Sequence, residues 1–186
     1  MIFKNFILFL FLSSITCEFG YCESRDARVY PQFAGVNWES SKEGVIESLR
    51  KRNYKQTDYI EGKDETLIFS KGKLIGYPVE VTTYYDTSKE KLGLKRIQVG
   101  FEIKNLSGLE RQAALSRVID ALMAKYGDVS GTIPDQKALY WTAAGFPVLF
   151  LTSFNESFLL TYVSPKQAAK RLKERNAKNK AKTRIF

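Results

Sequence analysis

From Gln56 to Ile103 the chain alternates apolar and polar positions, broken by short charged or glycine-containing segments. In LKRIQVGFEI, Ile97, Val99, Phe101 and Ile103 alternate with Arg96, Gln98, Gly100 and Glu102, the pattern of an antiparallel strand with one buried face. Tyr77, Val79, Val81, Thr83 and Tyr85 supply a matching face one strand earlier. With QTDYIE and TLIFS, and with breaks at GKDE, KGK and TSKEK, these segments predict a four-strand meander. Before it the period is helical. SSKE at 40–43 reads as a capping box in which Ser40 accepts from the Glu43 backbone, and Val45, Ile46 and Leu49 follow on one face. A helix over about 41–52 is expected.

The chain then repeats this order. SGLE at 107–110 is a second capping box, and Leu115, Val118, Leu122 and Tyr126 form a stripe that stops at Gly127. Three strands follow, ALYWTA, FPVLFLTSF and SFLLTYV, the last two joined by a hairpin around Asn155 and Glu156. Phe150, Leu151, Phe158 and Leu160 are apolar on both faces, which places at least one of these strands inside the sheet. VIESLRKRNY at 45–54 aligns with VIDALMAKYG at 118–127, an offset of 73 residues. The expectation is an α+β fold of two helix-plus-antiparallel-sheet units, α-β-β-β-β then α-β-β-β, related by duplication.

Charge separates the ends from the body. Residues 166–186, KQAAKRLKERNAKNKAKTRIF, hold 9 basic residues and one acid, a net of +8 in a chain whose total is +9. Residues 1–22 net to zero, which leaves 19 basic and 18 acidic residues in 23–165. The body is thus balanced, and the basic character belongs to an appendage rather than to a folded groove that tracks phosphates. At the other end Lys4, the apolar run Phe6–Leu12 and the small residues that follow have the layout of a signal peptide over 1–22, cleaved between 16 and 22. The run is far short of the ~20 apolar residues a spanning helix needs. An exported, periplasmic or extracellular protein follows, with a lipid anchor at Cys17 as the alternative. Cys17 and Cys22 are the only cysteines, so a body over 23–165 has no disulfide framework and is held by burial.

A domain that opens GVNWESSKEGVIESL and has two helix-plus-sheet units about seventy residues apart behind a signal peptide resembles small exported bacterial proteins. The types in question are the beta-lactamase-inhibitor-protein-like and the small outer-membrane-lipoprotein proteins, over residues 35–163. The resemblance implies a concave sheet used for protein contact. Two departures stand beside it: the inhibitor proteins staple their repeats with disulfides, and the second unit here has three legible strands where the first has four.

The absence of histidine from the sequence removes imidazole acid–base and nucleophile systems, and with them most zinc and copper sites. No cofactor or metal is expected. Asp58, Glu61, Asp64 and Glu65 lack EF-hand spacing and have Lys63 among them, so they read as a solvated turn rather than a calcium loop. Glu80 and Glu102 are the carboxylates that a hydrolase reading would pair, although each occupies a polar position of an alternating strand. Binding rests on aromatic residues. Strand alternation forbids Tyr84 and Tyr85, or Tyr140 and Trp141, from pointing the same way, and Tyr84 and Tyr140 are the outward candidates. In the tail, Ser164 and Pro165 start a thin amphipathic helix that is expected to be solvated and to fray. Its Lys170, Arg171, Lys173, Arg175, Lys178, Lys180, Lys182 and Arg184 are candidate polyanion contacts. The sequence thus predicts a non-enzymatic module that contacts a protein or anionic envelope component through its sheet. A carboxylate-dependent hydrolase and a polyanion binder acting through the tail are the alternatives, with nucleic acid not the expected partner of an exported chain.

Overall fold

Two helices and the apolar phase of the strands meet on one side of an eight-stranded antiparallel sheet. The computed structural model describes residues 30–87, 93–154 and 157–183, with side chains through 177. The first unit comprises α1 (Lys42–Lys51), β1 (Lys55–Glu61), β2 (Glu65–Leu74), β3 (Tyr77–Asp86) and β4 (Gly93–Phe101). The second comprises α2 (Gly108–Tyr126), β5 (Gly131–Ile133), a 3-10 turn, β6 (Ala138–Ala143), β7 (Phe146–Ser153) and β8 (Phe158–Val163), and α3 (Pro165–Thr183) ends the described chain. The strand order is β1-β2-β3-β4-β8-β7-β6-β5. Each unit is a meander, and their last strands meet in the middle, with Arg96↔Val163 through Gly100↔Leu159 in register.

Val45 and Leu49 of α1 and Ala114, Val118 and Leu122 of α2 are fully buried against Ile68, Val81, Ile97, Val99, Leu149, Leu160 and Tyr162. These strand residues share one phase of the pleat, so both helices lie on one face. Tyr85 fixes the start of α1, its hydroxyl donating to the carbonyls of Ser40 at 3.0 Å and Ser41 at 2.9 Å. Leu149 and Leu160 sit in central strands, as the two-sided apolar pattern requires.

Several details depart from the sequence reading. The α1 cap is Ser41, not Ser40, and its hydroxyl accepts from Gly44 N–H at 3.1 Å. The capping box at Ser107 and Glu110 does form, with both hydrogen bonds present. The break between β2 and β3 is not KGK but Ile75–Gly76, whose φ angles of 54° and 79° make a two-residue primed turn. Lys71, Gly72 and Lys73 stay in β2. Gly72 is there because Tyr54 lies across the strand: a Cβ at 72 would come within 2.4 Å of the Tyr54 ring. The second unit has a fourth strand, β5, three residues long and paired with β6 from Gly131↔Tyr140 to Ile133↔Ala138. The hairpin residues Asn155 and Glu156, the segment 1–29 with its two cysteines, and Arg184 lie outside the described residues.

The tail helix is not wholly solvated. Ser164 caps α3, accepting from Gln167 N–H at 3.2 Å, and Ala168 is buried in a second small cluster with Ala143, Val148 and Val163. Val148 and Val163 occupy the phase opposite to Leu149 and Tyr162, so α3 packs on the sheet face that α1 and α2 leave free. From Arg171 to Ala177 the described side chains reach solvent, Arg171 while still partly covered.

Candidate functional site

Since α3 covers only the ends of β4, β6, β7 and β8 on that face, the rest of it, over β2, β3 and the remainder of β4 and β8, is not covered by a helix among the described residues. Cross-strand register arranges this surface in rows. One row runs Leu67, Tyr84, Arg96 and ends at Val163 under α3. The next runs Phe69, Thr82, Gln98, Thr161, Phe150 and Tyr140. A third runs Lys71, Glu80, Gly100 and Leu159. Leu67, Phe69, Tyr84, Leu159, Phe150 and Tyr140 are all half-buried, so aromatic and aliphatic side chains are spread across the strands with one edge to solvent. At Gly100 the row has no side chain, and a Cβ there would still be 3.9 Å from its nearest neighbour, which leaves a shallow dent between Glu80 and Leu159.

Tyr84 and Tyr140 therefore share this face, while Tyr85 and Trp141 are buried on the other. The Arg96 guanidinium stacks 3.8 Å from the Tyr84 ring centroid. The Tyr84 hydroxyl donates to Gln98 Oε1, and Gln98 Nε2 reaches Thr161 Oγ1 at 3.5 Å, a polar chain that crosses from β3 through β4 to β8. Stacking holds Arg96 flat and leaves its buried Nε without a hydrogen-bond partner among the described residues. Arg171 of α3 stands close enough for the two charges to interact: partial burial first, then the like charge of Arg96, lowers the Arg171 pKa. No carboxylate among the described residues forms an ion pair with Arg96. Two guanidiniums beside an aromatic ring make a place where an incoming carboxylate would gain charge-assisted hydrogen bonds, although the Arg96 Nε itself is closed to it. Sequence reasoning passed over Arg96 because a polar residue at an alternating position is the ordinary solvent-facing residue of a strand.

Tyr140 is placed differently. Its ring is 6.4 Å from that of Phe150 and lies against Gly131, where a Cβ would be 2.5 Å from its hydroxyl. It is on the same face as Tyr84 but toward the far edge. The polyanion candidates Lys170, Arg171, Lys173 and Arg175 project from the first half of α3; Lys178, Lys180 and Lys182 continue the helix backbone.

Lys71 Nζ draws Glu80 and Glu102 together, at 3.8 Å and 3.2 Å. Both carboxylates are substantially exposed and share the Lys71 ammonium, a surface ion-pair cluster. Among the acids of the β1–β2 segment, Glu61 pairs with Lys42 at 3.7 Å and Glu65 with Lys95 at 3.3 Å. No group of three or more metal-ligating side chains occurs among the described residues, and no described helix is long and apolar enough to cross a membrane. The chain matches no protein-family model, and it has no significant match among curated proteins or solved structures.

Proposed function

We propose that this chain is an exported, non-catalytic binding module of the cell envelope that holds a protein partner against the helix-free part of its sheet. The observation that carries the reading is the Tyr84–Arg96 stack, set among half-buried apolar residues. Aromatic and arginine side chains of this kind are the usual energetic anchors of protein interfaces. The partner group that fits is a carboxylate approaching Arg96 and Arg171, with an apolar side chain entering near Gly100. The signal-peptide layout of residues 1–22 supports export, and the strongly basic tail adds salt-screened attraction to an anionic surface or partner. The resemblance to inhibitor-like exported proteins supports the same use of the sheet. The matching element order of the two units and the VIESL and VIDAL segments support duplication of one ancestral unit.

The test is a pull-down of the mature chain from envelope extracts at low and high salt, beside Tyr84→Ala and Arg96→Ala. A partner that survives high salt and is lost in both variants is the expected result. A partner that both variants retain as firmly as the parent chain would overturn the assignment of this face. A partner seen only at low salt and lost when Lys173 and Arg175 are neutralised would assign binding to the tail instead.

A further inference from the structure

A surface that pairs with a copy of itself about a two-fold axis must be its own complement, because every group meets the one that stands equally far beyond the axis. The helix-free patch on β2, β3 and β4 meets this condition. Its middle row, Phe69, Thr82 and Gln98, carries no charge. The first charge on that row, Asp58, stands on the edge strand β1, outside the patch. To one side lie Tyr84 and Arg96, with Arg171 of α3 at the same end. To the other lie Glu80 and Glu102, two acids that share the single base Lys71.

An axis along the middle row would set each residue against its counterpart on the same strand of a second copy. On β3, Tyr84, with Arg96 stacked on its ring, comes over Glu80 of the second copy. On β2, Glu65 comes over its Lys73 and Leu67 over the stem of its Lys71. On β4, Arg96 comes over its Gly100, where the absent side chain leaves the dent that the stack would enter. Each match occurs twice, and no residue of these three strands is set against a like charge.

We infer that the partner held on this face is a second copy of the chain, sheet against sheet, closed as a two-fold dimer. This rests on the reading of the face as a protein-binding surface and names its occupant. α3, over the ends of β6, β7 and β8 and beside β4, confines the contact to β2, β3 and β4. It also brings Arg171 toward Glu80 and Glu102 of the second copy. Three strands about 4.8 Å apart and eight residues long span ~400 Å² of sheet, half of the ~800 Å² per partner of a standard interface. The dimer therefore forms reversibly, across the micromolar range.

Sedimentation velocity of the mature chain from about 1 μM to about 500 μM, the range of interfaces below standard size, tests this. The parent is expected to pass from monomer to dimer and to stop there. Arg96→Glu and Glu80→Arg should each weaken the dimer by about tenfold or more, because each sets like charges together. An equimolar mixture of the two variants should restore it, since every altered residue then meets an opposite charge. Glu47→Arg makes the same change of charge on α1, across the sheet, and should leave dimerisation as it was. Unchanged circular-dichroism melts would verify the folds. The inference is overturned by a parent that stays monomeric, by growth beyond the dimer, by a mixture that does not recover, or by an equal loss in Glu47→Arg. Should the parent stay monomeric while the pull-down yields another protein lost in Tyr84→Ala, the face is a binding surface for that protein and only the inference falls.

Discussion

Tyr54 and Gly72 show how one residue choice can be dictated by another far along the chain. The ring crosses β2 where only a glycine leaves room, and its hydroxyl donates to the Lys73 carbonyl at 3.1 Å. Gly72→Ala should destabilise the protein by about 1–3 kcal/mol, the usual cost of forcing extra volume into a packed site. In denaturant titrations Gly72→Ala should cost less in a Tyr54→Ala background than in the parent, because the clash is then absent. From the sequence, Gly72 between two lysines looks like a turn; its true reason is a contact, and no local pattern announces it. The caps were more legible. At Ser107, the neighbouring backbone N–H and then the Ser107 hydroxyl bind the Glu110 carboxylate and hold its pKa below the ordinary 4.5. A depressed folded-state pKa contributes stability that is complete above the unfolded value and lost as pH falls through the folded one. The difference in melting temperature between the parent and Glu110→Gln should therefore be present near neutral pH and vanish in acid. Ser107→Ala should cost about 1 kcal/mol.

Among the elements, periodicity revealed those long enough to show it. β3 and β4 alternate over nine or ten residues and were readable outright. β5 has three residues, one of them a glycine, and too few positions to display a period of two. The break at Ile75 was hidden because a β-branched residue with φ of 54° is one that propensity rules advise against. α3 was legible as a helix, but its docking was not: a stripe of alanines looks too thin to drive burial, yet small side chains are what let a helix approach a sheet closely. Ala168→Glu places a charge between Val148 and Val163 and should release α3. The readout is limited trypsin digestion, with rapid cleavage after Lys170 and Arg171 in the variant and protection in the parent, while the sheet's far-ultraviolet signal persists. The same contact changes how the tail is to be studied. Deleting 166–186 removes the basic charge but also strips the cover from Val148 and Val163, at a cost on the order of 2 kcal/mol. Neutralising Lys173 and Arg175 should lower the salt needed to elute the protein from a polyanion column without moving its unfolding midpoint.

At the scale of the whole molecule, α1 and α2 pack on one face of the sheet and α3 on part of the other. Strand alternation told which face Tyr84 and Tyr140 share, but which side the helices cover is a tertiary fact, and Arg96 gains its meaning only once Tyr84 and Arg171 are beside it. The edges are guarded by different means. β1 is exposed along its whole length yet carries charges and a register shift between Gln56 and Asp58, while β5 is simply short. The seam between β4 and β8 has no such guard, and this matters for how the protein is made. Its pairs join residues distant in sequence: Gly100 to Leu159 is 59 residues and Arg96 to Val163 is 67. A chain emerging from its N-terminus completes the first meander while the strand that will close it is still unmade. For that interval β4 presents an open inner edge lined by Ile97, Val99 and Phe101, a template for any neighbouring nascent copy. Whatever accompanies this polypeptide during synthesis has one short stretch, Gly93–Phe101, that it most needs to shield.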